Sequence, residues 1–196
     1  MAMSGFFAQS FLTRDNYQDL LKDCFQTMKL FGSKVAFLPL GGSGKDWQQE
    51  GCAAYQLMVS RLRTAGEMAK QEGIIIGIRT GMDAKFDKKL LKKVGSSQIK
   101  VYYNFQDAAD HHRDICKELR KLGAQRIVQI HASNTDSVNL QEDSEINLPK
   151  IRKTLDKMKW SGWLVVERSR DVKRVRDVKY NFGRNIAYLK QVFQER

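Results

Sequence analysis

Four polar residues stand where strand-like apolar runs end: Arg79 after Ile74-Ile75-Ile76-Gly77-Ile78, Asn104 after Val101-Tyr102-Tyr103, His131 after Ile127-Val128-Gln129-Ile130, and Glu167 after Trp163-Leu164-Val165-Val166. They are separated by 25, 27 and 36 residues, room each time for a helix and two turns. A polar side chain at the carboxyl end of each successive parallel strand is how an α/β barrel assembles an active site. His and Glu are a metal-ligand and acid–base pair. Arg and Asn make poor metal ligands, because guanidinium accepts no hydrogen bond and the amide carries no charge.

The elements that must position these groups alternate along the chain. A helix is expected from Asp15, with Tyr17, Leu20, Leu21, Cys24, Phe25 and Met28 at helical spacing, stopping at Gly32. Strands are expected at Lys34–Leu40, Ile74–Ile78, Ile99–Asn104, 127–131 and 163–167, with a further short one at Gly5-Phe6-Phe7-Ala8. Helices are expected at Gln48–Gln71, Phe86–Val94, 110–122, a segment capped by Asn147 with Pro149 in its first turn, and a last one bearing Phe182, Ile186, Leu189 and Phe193. Strict alternation of six such units predicts a parallel sheet covered by helices. No linker-like tract divides the 196 residues, so one domain over 1–196 is expected.

The net charge of +12 admits two interpretations. Lys and Arg could neutralise a polyanion, or they could form a solvated exterior, since they occur in every expected helix. The densest cluster (Arg168, Arg170, Lys173, Arg174, Arg176, Lys179) is broken by acids and lacks interleaved aromatics, so no nucleic-acid partner is expected. Small phosphorylated or carboxylated substrates fit the charge equally well. No run approaches the ~20 apolar residues of a membrane span, and the N-terminal residues lack signal-peptide character. Cys24, Cys52 and Cys116 are odd in number and far apart, which suits free thiols in a reducing cytoplasm. Gly41-Gly42-Ser43-Gly44-Lys45 fails as a phosphate loop because Asp46 follows the lysine. His111-His112 are expected to open a helix as surface or capping residues.

Over nearly the whole chain the sequence resembles the xylose isomerase-like barrel family of sugar and sugar-phosphate isomerases and epimerases. The resemblance rests on Ile130-His131-Ala132-Ser133-Asn134, Glu145-Ile146-Asn147-Leu148-Pro149-Lys150-Ile151, Trp160-Ser161-Gly162-Trp163-Leu164-Val165-Val166-Glu167-Arg168 and Asn185-Ile186-Ala187-Tyr188-Leu189. It implies a TIM-type (β/α) barrel, of which this chain supplies about six of eight units. The sheet is then an incomplete barrel, or a partner or second copy closes it. A homodimer is the expectation, because open strand edges seek pairing.

The resemblance also implies one divalent ion (Mn, Mg or Zn), held by Glu, Asp, His and Glu at four strand ends, with the two glutamates moving a proton beside a carbonyl. His131 and Glu167 match the last two positions and are the candidate metal ligands. Arg79 replaces the first Glu (Ile-Glu-Thr becomes Ile78-Arg79-Thr80) and Asn104 replaces the Asp (Tyr-Tyr-Asp becomes Tyr102-Tyr103-Asn104). The family's His-x-Lys-Asp becomes His131-Ala132-Ser133-Asn134, and its glycine-bearing loop becomes Leu140-Gln141-Glu142-Asp143.

The two strand-end exchanges raise the local charge by three, so no metal is expected in this chain, and Arg79 would fill the ion's place by pairing with Glu167. Glu167 and Arg79 are the candidate catalytic residues. Asn104, His131, Arg168 and Trp163 are the candidate substrate contacts. Plainer roles stand beside these. His131 could be a strand-end histidine bonded to a neighbour, Glu167 a structural partner of Arg79 or Arg168, Asn104 a cap, and the tryptophans core or rim. The expected activity is a sugar or sugar-phosphate isomerase/epimerase, weakened or lost; the alternative is a non-catalytic carbohydrate-binding or assembly module. A nuclease of the same superfamily is set aside, because three histidines cannot furnish a several-metal cluster.

Overall fold

A computed structural model describes residues 2–3, 11–40, 47, 49–133 and 136–195. They form two compact units, Met1–Tyr102 and Tyr103–Arg196. The expected strand at Gly5–Ala8 and the loop Gly41–Lys45 lie outside the described residues.

The first unit contains β1 (Ala2–Met3), α1 (Tyr17–Leu30), β2 (Val35–Pro39), α2 (Ala53–Gln71), β3 (Ile75–Arg79), α3 (Ala84–Val94) and most of β4 (Ile99–Asn104). Its strands pair in chain order and in parallel, Val35 with Ile75 through Pro39 with Arg79, then Ile76 with Ile99. Ala36, Phe37, Leu38, Ile76 and Ile78 are all buried, so successive side chains on both faces of the sheet lie in core. That is the pattern of parallel strands covered on two sides. Against this core α2 buries Tyr55, Met58, Val59, Leu62, Ala65 and Ala69.

Two boundaries differ from expectation because of caps. Helix α2 begins at Ala53 rather than Gln48, because Cys52 is extended and its Sγ accepts from Tyr55 N at 3.3 Å. Helix α3 begins two residues before Phe86, where Asp83 Oδ1 accepts from Phe86 N at 2.8 Å. Gly95, at φ +73°, ends it in the left-handed conformation that glycine adopts most readily.

The second unit contains α4 (Phe105–Ala109), α5 (Ile115–Leu122), β5 (Ile127–His131), α6 (Leu148–Lys157), β6 (Trp163–Val165) and α7 (Val178–Phe193). Strands β5 and β6 are parallel, with His131 opposite Val165. Leu119, Leu122, Ile130, Leu148, Ile151 and Leu155 form its core. Asn147 caps α6 through Lys150 N at 2.9 Å, with Pro149 in the first turn as expected.

Two expectations are corrected here. The helix expected at 110–122 begins only at Ile115, a separate short helix, α4, precedes it, and His111-His112 lie in the turn between the two. Asn104 Oδ1 accepts from Gln106 N at 2.8 Å and starts α4 directly after the strand. His112 then takes a φ of +51°, and Asp114 caps α5 through Lys117 N at 3.0 Å. Strand β6 also stops at Val165, two residues short of Glu167. Beyond it, the carbonyls of Arg168 and Ser169 accept from buried asparagine side chains.

In both units parallel strands alternate with helices, the construction of a TIM-type (β/α) barrel. The described strands number six against eight in a complete barrel, as an incomplete barrel requires.

Candidate active site

In the second unit, His131 ends β5 and is 5% exposed. Its Nδ1 lies 3.3 Å from Oε2 of Glu167, whose side chain is 47% exposed. The approach is off the line of a well-formed hydrogen bond, so the pair is a close polar contact that becomes an ion pair when the imidazole is protonated. A buried ring steadying a solvent-facing carboxylate leaves that carboxylate able to accept a proton from a ligand.

Three asparagines hold the chain just past Glu167. Ser169 sits at φ +71°, and its carbonyl accepts from Asn139 Nδ2 at 3.1 Å and Asn185 Nδ2 at 2.7 Å. Asn181 is the hub. Its Oδ1 accepts from Asn139 Nδ2 (2.9 Å) and Asp171 N (2.8 Å), while its Nδ2 donates to the carbonyls of Arg174 (2.7 Å) and Asp177 (2.9 Å). Asn185 Oδ1 accepts from Leu140 N at 2.9 Å. All three are essentially buried, so the segment is held by side chains that cannot exchange these partners for water.

Arg168 and Arg170 both turn to Asp136. Oδ2 accepts from Arg168 Nε (3.1 Å) and Nη2 (3.0 Å) and from Arg170 Nη2 (2.6 Å), and Oδ1 accepts from Arg170 Nε (2.9 Å). Hydrogen bonding from Arg170, then from Arg168, brings the Asp136 carboxyl from 3.8 down to about 2, against an opposing burial effect. Further along, Asp177 is held low chiefly by the Tyr180 N–H and then by Arg174. Arg174 and Arg184 both lie over the Tyr180 ring, at 3.8 and 5.4 Å from its centroid.

The remaining sequence candidates lie as follows. Asn104 is buried, and its Oδ1 caps α4. Trp163 opens β6, at the end of the strand away from Glu167, and is 70% exposed. Arg79, in the first unit, ends β3 and is half-buried. Next to it Thr80 Oγ1 donates to the buried Asp87 at 2.5 Å. Sequence reasoning missed Asp136, Arg170, Asn139 and Asn181. A signal existed for Asn181: with Asn185 and Leu189 it occupies the inward face of α7 at four-residue spacing, and an amide on such a face needs buried partners.

The model of the xylose isomerase-like TIM barrel matches residues 5–192. The chain belongs to that family. Solved structures agree on the fold. A xylose isomerase-like TIM barrel/4-hydroxyphenylpyruvate dioxygenase fusion protein superposes with TM-score 0.69 at 18% identity, over 100% of this chain and 34% of that one. D-psicose 3-epimerase from Clostridium cellulolyticum H10 gives TM-score 0.73 at 13% identity, over 91% and 71%. A sugar phosphate isomerase/epimerase from Parabacteroides distasonis gives 0.70 at 15%, over 96% and 68%. The chain thus spans about a third of the fusion protein and about seven tenths of the other two. No curated protein matches it.

Family members generally bind a divalent ion. Among the described residues no three His, Cys, Asp or Glu side chains gather as an ion would need.

Proposed function

We propose that this protein is a sugar or sugar-phosphate isomerase/epimerase whose chemistry rests on Glu167, with the metal's part reduced or lost. The observation that carries this reading is the 3.3 Å contact between His131 and Glu167 at the carboxyl side of neighbouring parallel strands. Glu167 acts as the base that takes a proton from the carbon beside a sugar carbonyl, and His131 holds it and touches the substrate. Arg79 and Asn104, at two further strand ends, are the other candidate site residues, Arg79 catalytic and Asn104 substrate-binding. Arg168 is a further substrate contact. The two units act as one domain, and a homodimer in the cytoplasm is the working form; nucleic acid and membrane are not partners. Among the described residues no helix is long and apolar enough to cross a membrane.

The test is a screen of ketose epimerisation and aldose–ketose exchange, with and without added Mn²⁺, Mg²⁺ or Zn²⁺. Turnover that Glu167→Gln abolishes supports the reading. One stoichiometric ion held by His131 and Glu167 after purification would end its metal-poor form.

One observation favours a second reading, a non-catalytic carbohydrate-binding module. Trp163 presents an indole at 70% exposure, and an exposed aromatic face stacks on a sugar ring. Sugar-dependent thermal stabilisation lost in Trp163→Ala, without turnover, would decide for it.

A further inference from the structure

A tie between the segments that follow β5 and β6 needs one guanidinium on Asp136, and this protein places two there. Two like charges are held around a single carboxylate, and the trio keeps a net charge of +1. The arginine side chains remain 47% and 36% exposed, whereas Asp136 is 16% exposed. Each arginine engages Asp136 through Nε and Nη2, so both Nη1 groups stay outside that contact. The next carboxylates along the chain are occupied elsewhere. Asp171 caps Lys173 N at 2.9 Å, and Asp177 pairs with Arg174 at 2.6 Å. The backbone between the two arginines is fixed by Asn139 and Asn185 at the Ser169 carbonyl, so their spacing is set before any ligand arrives.

We propose that Arg168 and Arg170, aligned by Asp136, form an anion subsite that takes the phosphate of a phosphorylated sugar. With the Nε–Nη2 edges taken by Asp136, the Nη1 groups are the donors that meet the phosphate oxygens, through charge-assisted hydrogen bonds. Arg168 follows Glu167, and Asp136 follows His131, in the segments after β6 and β5, so the subsite is built from the two segments that carry the His131–Glu167 pair. The anion site stands on its own geometry, while the sugar at the other end rests on the function proposed above.

Titration calorimetry with inorganic phosphate, ribulose 5-phosphate and ribulose tests this in the intact protein, alongside Arg168→Gln, Arg170→Gln and the control Lys89→Gln, on α3 of the first unit. Arg168→Gln leaves the Arg170–Asp136 pair in place to hold the fold. The expected result is that ribulose 5-phosphate binds at least about tenfold tighter than ribulose, and that inorganic phosphate competes with it. Either arginine change should weaken both phosphate ligands about tenfold, Arg170→Gln should leave ribulose binding unchanged, and the control should leave all three ligands unchanged.

Equal binding of the phosphorylated and plain sugar, or binding indifferent to both arginine changes, would overturn the subsite. So would a single-stranded oligonucleotide that binds through the same arginines more tightly than the sugar phosphate. Phosphate binding that follows the arginines without any sugar turnover supports the subsite and counts against the proposed catalysis alone. Turnover of an unphosphorylated sugar, untouched by phosphate, does the reverse.

Discussion

Nδ1 of His131 lies 3.3 Å from Oε2 of Glu167, joining a buried strand-end ring to a half-exposed carboxylate beyond the next strand. The asymmetry in burial separates chemistry from stability. Glu167→Gln keeps the shape and removes the base. It should lower any isomerase or epimerase turnover by about 100-fold or more and shift the melting temperature little. Kinetics beside a thermal melt checks this, and unchanged turnover would remove Glu167 from the mechanism.

Asp136 gives the fold an acid dependence of known sign. Its carboxyl titrates at 3.8 ordinarily and at about 2 in the folded chain. Its stabilisation is therefore complete above the unfolded value and is lost as pH falls from near 4 toward 2. After solvent screening that amounts to about 1–2 kcal/mol. Urea unfolding followed down this range should show a steeper fall for the native protein than for Asp136→Asn.

Asn181 should be the most sensitive polar position in the second unit. Its amide serves four partners inside the core. Asn181→Ala would leave several of them without replacements and should cost about 2–4 kcal/mol. Amide exchange across 168–177 should rise more than exchange in β5. Equal change in both would mean that the network steadies the whole unit rather than this segment.

In the first unit, Gly66 marks where α2 meets the turn after α3. A Cβ there would lie 2.3 Å from Ser96 Oγ and 2.7 Å from its Cβ. Gly66→Ala should therefore destabilise by about 1–3 kcal/mol. Adding Ser96→Gly removes both clashes and should recover much of the loss, a coupling that a double-mutant cycle measures. Strict additivity would show that the helix simply shifts.

The sequence by itself determined the strand–helix alternation, the parallel pairing implied by the apolar runs at Ile74–Ile78 and 127–131, and the Asn147–Pro149 helix start. These are local signals, since residue type, spacing and caps act over a few positions. It also marked His131 and Glu167, because a strand-end motif is local too. Only the tertiary structure decided that Asp136 gathers Arg168 and Arg170 across 32 and 34 residues, that Asn139, Asn181 and Asn185 grip the Ser169 segment, and that β6 ends before Glu167. Those outcomes depend on which buried polar groups find partners once the core closes. No spacing along the chain encodes that pairing, because each donor and acceptor has many possible mates until packing removes water and leaves one.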